Sequence, residues 1–186
     1  MIKAGDNVEN NKILINDSQY SNIIDSFREL RNNIQFANSN ANIKSILITS
    51  SKNGEGKSTV ASNLAIALAE SGKKTMLLDF DFNHQNIPSF FDITSSNGLY
   101  MYLFEDLSIE EIYLPSGIEN LHILCAGEYS IKFSSILASD KIKNFINDTI
   151  EKYDYVIIDS SSLLSSSDAQ VLSKYVDGCI LVVGEG

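Results

Sequence analysis

Basic residues are scarce in this chain: 14 Lys and Arg stand against 24 Asp and Glu, leaving a formal net charge of −10. That balance argues against a nucleic-acid binder, because phosphate backbones are held by clustered Lys and Arg that release counterions. Long apolar runs are missing too. No stretch approaches the roughly 20 apolar residues that span a bilayer, and the first 18 residues, rich in Asn and Asp, lack the apolar centre of a signal peptide. A soluble, cytoplasmic protein is expected. Cysteine is nearly absent, and Cys125 and Cys179 each lie in an apolar, strand-like segment without CxxC spacing. Both read as buried small hydrophobes, with no zinc site or disulfide indicated. Apolar content, by contrast, is ample: 44% over 186 residues is enough for the core of one α/β domain. Residues 1–18 read as a flexible N-terminal segment and 19–186 as the folded domain.

Hydrophobic spacing organises the rest. Ser21 to Phe36 has Ile23, Ile24, Phe27, Leu30 and Ile34 near helical spacing, and a strand is expected from Ile43 to Thr49. Val60, Leu64 and Leu68 then keep a 3.6-residue period along an Ala-rich helix that stops at Gly72, with Lys73 and Lys74 suiting its negative end. Strands are expected at Thr75 to Leu78, Leu121 to Cys125, Tyr155 to Ile158 and Gly178 to Val183. Helices are expected near Gly98 to Phe104, Ser139 to Lys152 and Ser167 to Tyr175. Strands that are apolar throughout and alternate with helices imply an α/β fold, a parallel sheet with helices on both faces in three layers. Ligands of such sheets bind beyond the carboxyl ends of the strands.

One segment names a ligand. Ser51-Lys52-Asn53-Gly54-Glu55-Gly56-Lys57-Ser58-Thr59 lies between a strand and a helix, where successive backbone N–H groups and a helix N-terminus surround an anion. Lys57 would reach the terminal phosphates and Ser58 would offer its hydroxyl to Mg²⁺, so the expected ligand is a nucleoside triphosphate with magnesium. The usual pattern is GxxxxGK followed by Ser or Thr, and Ser51 stands where its first glycine belongs. Asp159 ends an apolar strand in the position of a Walker B carboxylate. Asp79 and Asp81 form a second pair, two residues apart, which on an extended chain share a face. A solvated turn is the plain alternative for that pair; metal binding and base catalysis near the γ-phosphate is the functional one.

With these residues the chain resembles the bacterial tyrosine kinases of capsule and exopolysaccharide synthesis, within the MinD and ParA class of P-loop ATPases. The resemblance runs from about residue 20 to the end. It is carried by Ile48-Thr49-Ser50 through Thr59 with Asn63-Leu64-Ala65, by Leu77-Leu78-Asp79-Phe80-Asp81, and by Tyr153 through Asp159 with Asp168-Ala169. Asp25, Arg28 and Arg31 resemble the family's ExxRxxR helix, with Asp in place of Glu. The resemblance implies ATP-dependent phosphorylation of tyrosine between subunits of a ring-type homo-oligomer built through that helix. It also implies a membrane polysaccharide co-polymerase as activator, which would place the protein at the inner face of the membrane. Lys57 would hold the phosphates, Ser58 and Asp159 would organise Mg²⁺, and Asp79 with Asp81 would serve the metal and the attacking hydroxyl.

The chain departs from that family at defined points. Asn83 stands where its DxDxR pattern has arginine, a cation that an amide does not replace. Ser160-Ser161-Ser162 replaces Thr-Pro-Pro, which should loosen the loop, and a proline-rich segment is missing around Glu128 to Phe133. No tyrosine cluster precedes Gly186, and Tyr100, Tyr102, Tyr153 and Tyr155 read as packing residues more than as acceptors. Lys52 falls where MinD and ParA proteins keep a second lysine, and reads equally as a solvated loop residue. His84 reads as a polar loop residue. Two other functions compete with the kinase: a degenerate nucleotide-binding regulator of the same pathway, and a MinD or ParA type placement ATPase.

Overall fold

The computed structural model describes residues 21–94, 98–105, 107–127 and 136–184. The expected lead-in of residues 1–18 and the whole segment from Glu128 to Phe133 lie outside them. The first helix, α1 (Ser21–Ala41), runs a turn beyond the apolar pattern that predicts it and buries Ile24 and Phe27. Strand β1 (Ser45–Ser50) is buried at every position and feeds α2 (Lys57–Glu70), which begins at the phosphate-loop lysine, three residues before its apolar period starts. Helix α2 is buried on nearly all sides, which its Ala-rich sequence permits.

Strand β2 (Thr75–Phe80) reaches past Leu78 to include Asp79. Two one-turn helices, α3 (Ile87–Phe90) and α5 (Ile109–Ile112), flank α4 (Leu99–Phe104), and a two-residue strand β3 (Leu114–Pro115) precedes β4 (Leu121–Leu124). The short pieces α3, α5 and β3 are additions to the sequence expectation. The chain continues through α6 (Asp140–Lys152), β5 (Tyr155–Ser160), α7 (Asp168–Leu172) and β6 (Gly178–Val182). Helix α7 stops short of the expected Tyr175.

The strands form one sheet in the order β3-β4-β2-β5-β1-β6, parallel except for the β3–β4 pair. Alternate strand residues feed two cores. Ile48, Leu77 and Ile157 pack with Phe27 of α1 and Leu64 and Leu68 of α2 on one face. Leu47, Leu78 and Ile158 pack with Leu103, Phe145 and Leu172 on the other. This is the three-layer parallel architecture read from the sequence. Cys125 is buried and its thiol is pushed up to about 12 by desolvation. Cys179 is a correction: it is exposed, because β6 is an edge strand whose alternate residues face out. Tyr153 and Tyr155 are buried packing residues, the first bonded through its hydroxyl to His122 Nδ1 at 2.8 Å and the second accepting from Asn38 Nδ2 at 3.1 Å. No described helix is long and apolar enough to cross a membrane.

Candidate active site

At the carboxyl end of β1 the chain turns through Ser51–Gly56 and enters α2. Gly54 and Gly56 hold φ of 83° and 89°, left-handed values that explain glycine at both positions. Ser51 needs no such freedom, since it is not among the positive-φ residues. Its hydroxyl donates to both Glu55 oxygens at 3.0 and 2.9 Å, while the Lys52 N–H donates to Glu55 Oε2 at 2.8 Å. These donors, the Lys52 N–H first, hold the Glu55 carboxyl below its usual value. The departure from the glycine pattern therefore leaves the turn intact. Lys52 is itself exposed.

Lys57 and Ser58 are buried at the start of α2. Lys57 Nζ lies 3.7 Å from Asp81 Oδ2, an ion pair with both side chains almost fully buried. Asp81 also accepts the His84 N–H at Oδ1, at 3.2 Å, and its own N–H donates to Asp79 Oδ1 at 3.2 Å. The two acids of the pair thus occupy different places. Asp81 lies just beyond β2 beside the lysine, and Asp79 sits beneath it, in register with Asp159 of β5. Burial raises the Asp79 carboxyl well above its usual value and the charge of Asp159 adds to the rise. Burial also lifts Asp159, to about 7, against the Ser58 hydroxyl, which favours its charged form.

Asp79 Oδ2 and both oxygens of Asp159 are buried without a hydrogen-bond partner. Orphaned carboxylate oxygens beside a serine hydroxyl fit a hard, oxygen-seeking cation such as Mg²⁺. Among the described residues no three His, Cys, Asp or Glu side chains converge as a complete metal cage. Ser58 and Asp159 could hold such an ion only jointly with phosphate oxygens and water, which is how Mg²⁺ is usually bound at nucleotide sites.

A cavity of about 450 Å³ opens beside Asp81, lined also by Asn53, Asn83, His84, Ser161 and Ser165. His84, which reads from the sequence as a plain loop residue, is part of its wall, with Nε2 3.4 Å from Asn53 Nδ2. The serine triplet is likewise better anchored than its composition suggests. Ser160 Oγ donates to Ile48 O at 2.9 Å, Ser162 Oγ donates to Asn53 Oδ1 at 2.8 Å, and the Leu163 N–H donates to Ser50 O at 2.8 Å. Hydrogen bonds to β1 and the phosphate loop take over the stiffening that prolines would give. The signal that could have found these residues is position: they directly follow Asp81 and Asp159 at the strand ends.

Asp25 and Arg28 lie apart from this cluster, paired at 3.1 Å on the exposed side of α1. Arg31 turns instead to α2, where its Nη1 donates to Ala67 O at 3.3 Å.

A parallel sheet whose strand β1 runs through a glycine-bearing turn into a helix, with carboxylates ending β2 and β5, defines a P-loop nucleotide-binding domain of the MinD and ParA class. A family model described as an AAA domain matches residues 43–182. MinD of Pyrococcus horikoshii, solved with Mg-ADP, superposes with a TM-score of 0.64 and 28% identity over 75% of this chain and 57% of its own. The kinase domain of the Escherichia coli tyrosine kinase ETK superposes more fully, with a TM-score of 0.86 and 25% identity over 93% of this chain and 68% of its own. Tyrosine-protein kinase YwqD of Bacillus subtilis is 33% identical over 98% of the chain and 76% of its own length. Tyrosine-protein kinase CpsD of Streptococcus agalactiae is 31% identical over 86% and 68%. The chain belongs to the bacterial tyrosine-protein kinases.

Proposed function

We propose that residues 19–186 act as one domain that transfers the γ-phosphoryl group of Mg-ATP to tyrosine hydroxyls, acting between neighbouring copies of the chain. One observation carries this reading: Lys57 forms a buried ion pair with Asp81, a residue that lines the cavity, at the same sheet edge where Asp79 lies in register with Asp159. The backbone of Asn53 to Thr59 cradles the phosphates. Lys57 exchanges Asp81 for the phosphate oxygens as nucleotide enters. Asp81, released at the cavity wall, accepts the proton of the incoming phenol as its oxygen bonds to phosphorus and the bond to the bridging oxygen of ADP breaks. Ser58 and Asp159, together with Asp79, would hold Mg²⁺, which would neutralise the phosphate charge.

The exposed Asp25 and Arg28 face is the surface on which copies meet in a ring, and a membrane polysaccharide co-polymerase is the activator that brings the domain to the inner face of the membrane. Resemblance to capsule and exopolysaccharide kinases supports these partners. The test is labelled phosphate transfer from Mg-ATP to a tyrosine-rich peptide: label on tyrosine is expected from the wild-type chain and loss of about a hundredfold from Lys57→Met, whose lost cation–phosphate contact is worth roughly 3 kcal/mol. Asn83 in the cavity wall favours a second reading, a regulator that binds nucleotide without transferring phosphate. Under it the same assay gives bound ATP and no phosphotyrosine.

A further inference from the structure

One hydroxyl in the cavity has no part in the scheme above. Six buried side-chain oxygens lack a hydrogen-bond partner among the described residues, and four of them stand at this one edge of the sheet: Asp79 Oδ2, both oxygens of Asp159, and Ser161 Oγ. The carboxylate oxygens would be taken up by a bound Mg²⁺. Ser161 would not. It is 1% exposed, follows Asp159 by two residues and lines the cavity.

Its backbone is held on both sides. Thr49 Oγ1 donates to Ser161 O at 2.9 Å, and the adjacent Ser162 Oγ donates to Asn53 Oδ1 at 2.8 Å. A buried hydroxyl without a partner costs roughly 1–3 kcal/mol, and alanine would fill the same place without that cost. The rest of the wall presents the amides of Asn53 and Asn83, the hydroxyl of Ser165, the imidazole of His84 and the carboxylate of Asp81, whose charge Lys57 offsets. A ligand with several acceptor oxygens uses such a wall best. Just beyond Lys57 and beside Asp159, the group of that kind is the last phosphoryl of a triphosphate.

We propose that Ser161 Oγ donates a hydrogen bond to the γ-phosphoryl group, making Ser161 a residue by which the site distinguishes a nucleoside triphosphate from a diphosphate. This rests on the reading of Ser51–Thr59 as a triphosphate site. The hydroxyl is unsatisfied in the nucleotide-free chain and satisfied only when the third phosphate is present.

Calorimetric titration of the whole chain with Mg-ATP and with Mg-ADP tests it, alongside the thermal midpoint of the nucleotide-free protein. Ser161→Ala should weaken Mg-ATP about tenfold, the scale of one hydrogen bond to a charged group, and leave Mg-ADP within about twofold. The same substitution should leave the nucleotide-free midpoint unchanged or raised. Equal losses for both nucleotides, no loss for either, or a lowered midpoint overturns the proposal. The underlying reading fails differently: a wild-type chain that binds neither nucleotide, or a Lys57→Met chain that binds both as before, removes the triphosphate site and this inference with it.

Discussion

Asp159 sits fully buried with both carboxylate oxygens unpartnered, and burial lifts its pKa to about 7. An acid whose folded pKa lies above its unfolded value favours the folded state while protonated. Its contribution is complete below the unfolded value near 4 and is lost as pH rises through about 7. In magnesium-free buffer Asp159→Asn should therefore stabilise the protein above about pH 7, with the gain shrinking to nothing below about pH 4. Thermal melts across that range check this, and a difference independent of pH contradicts it. Asp159 was legible in the sequence because a buried strand ending in an acid is a strong pattern. The unpartnered Ser161 hydroxyl and the place of His84 in the cavity wall were not, because both arise from loops that only the folded sheet brings beside Asn53. Ser51 leaves the glycine pattern incomplete in the sequence, and the fold shows why that is tolerated: only Gly54 and Gly56 take left-handed φ there.

Strands were the most readable elements, since each central one is a continuous apolar run buried on both faces. The four-residue helices are set by tertiary contacts rather than by period, and α5 could have been found only from its cap. Ser108 and Glu111 form a reciprocal capping box, with the Ser108 N–H and hydroxyl both donating to Glu111 Oε2 at 2.8 Å. The edge strand β6 depends on one residue before it. Asp177 accepts the Lys44 and Ser45 N–H groups at 2.9 Å and the Ser45 hydroxyl at 2.8 Å, joining the α7–β6 turn to the start of β1. Burial pushes the Asp177 carboxyl up, but these donors outweigh it and hold it below its usual value. Asp177→Ala should destabilise the fold by about 1.5–3 kcal/mol. A lowered carboxyl stabilises above its unfolded value and loses that contribution as pH falls through the folded one, so the deficit should narrow below about pH 4. Denaturant melts at neutral and acid pH measure it; an unchanged midpoint at pH 7 contradicts the anchoring role.

A net charge of −10 makes neighbouring copies repel over most of their surface, so a ring must place its few cations where copies touch. Among the described residues Arg28 is exposed with only Asp25 as partner, whereas Arg31 holds α1 onto α2 through Ala67 O. Arg28→Ala should thus reduce oligomer size in light scattering with the thermal midpoint unchanged, while Arg31→Ala should lower the midpoint as well. Equal behaviour of the two contradicts this division. The sequence showed an acid and two cations on one helix, but not that Arg31 is tied to its own domain. The most direct measurement of the whole account mixes the wild-type chain with a Lys57→Met copy, Mg²⁺ and labelled ATP, and locates the phosphate by mass spectrometry. Phosphotyrosine on the Lys57→Met copy, formed only in the mixture, is the predicted result; ATP bound by the wild-type chain with no phosphotyrosine on either copy would contradict it.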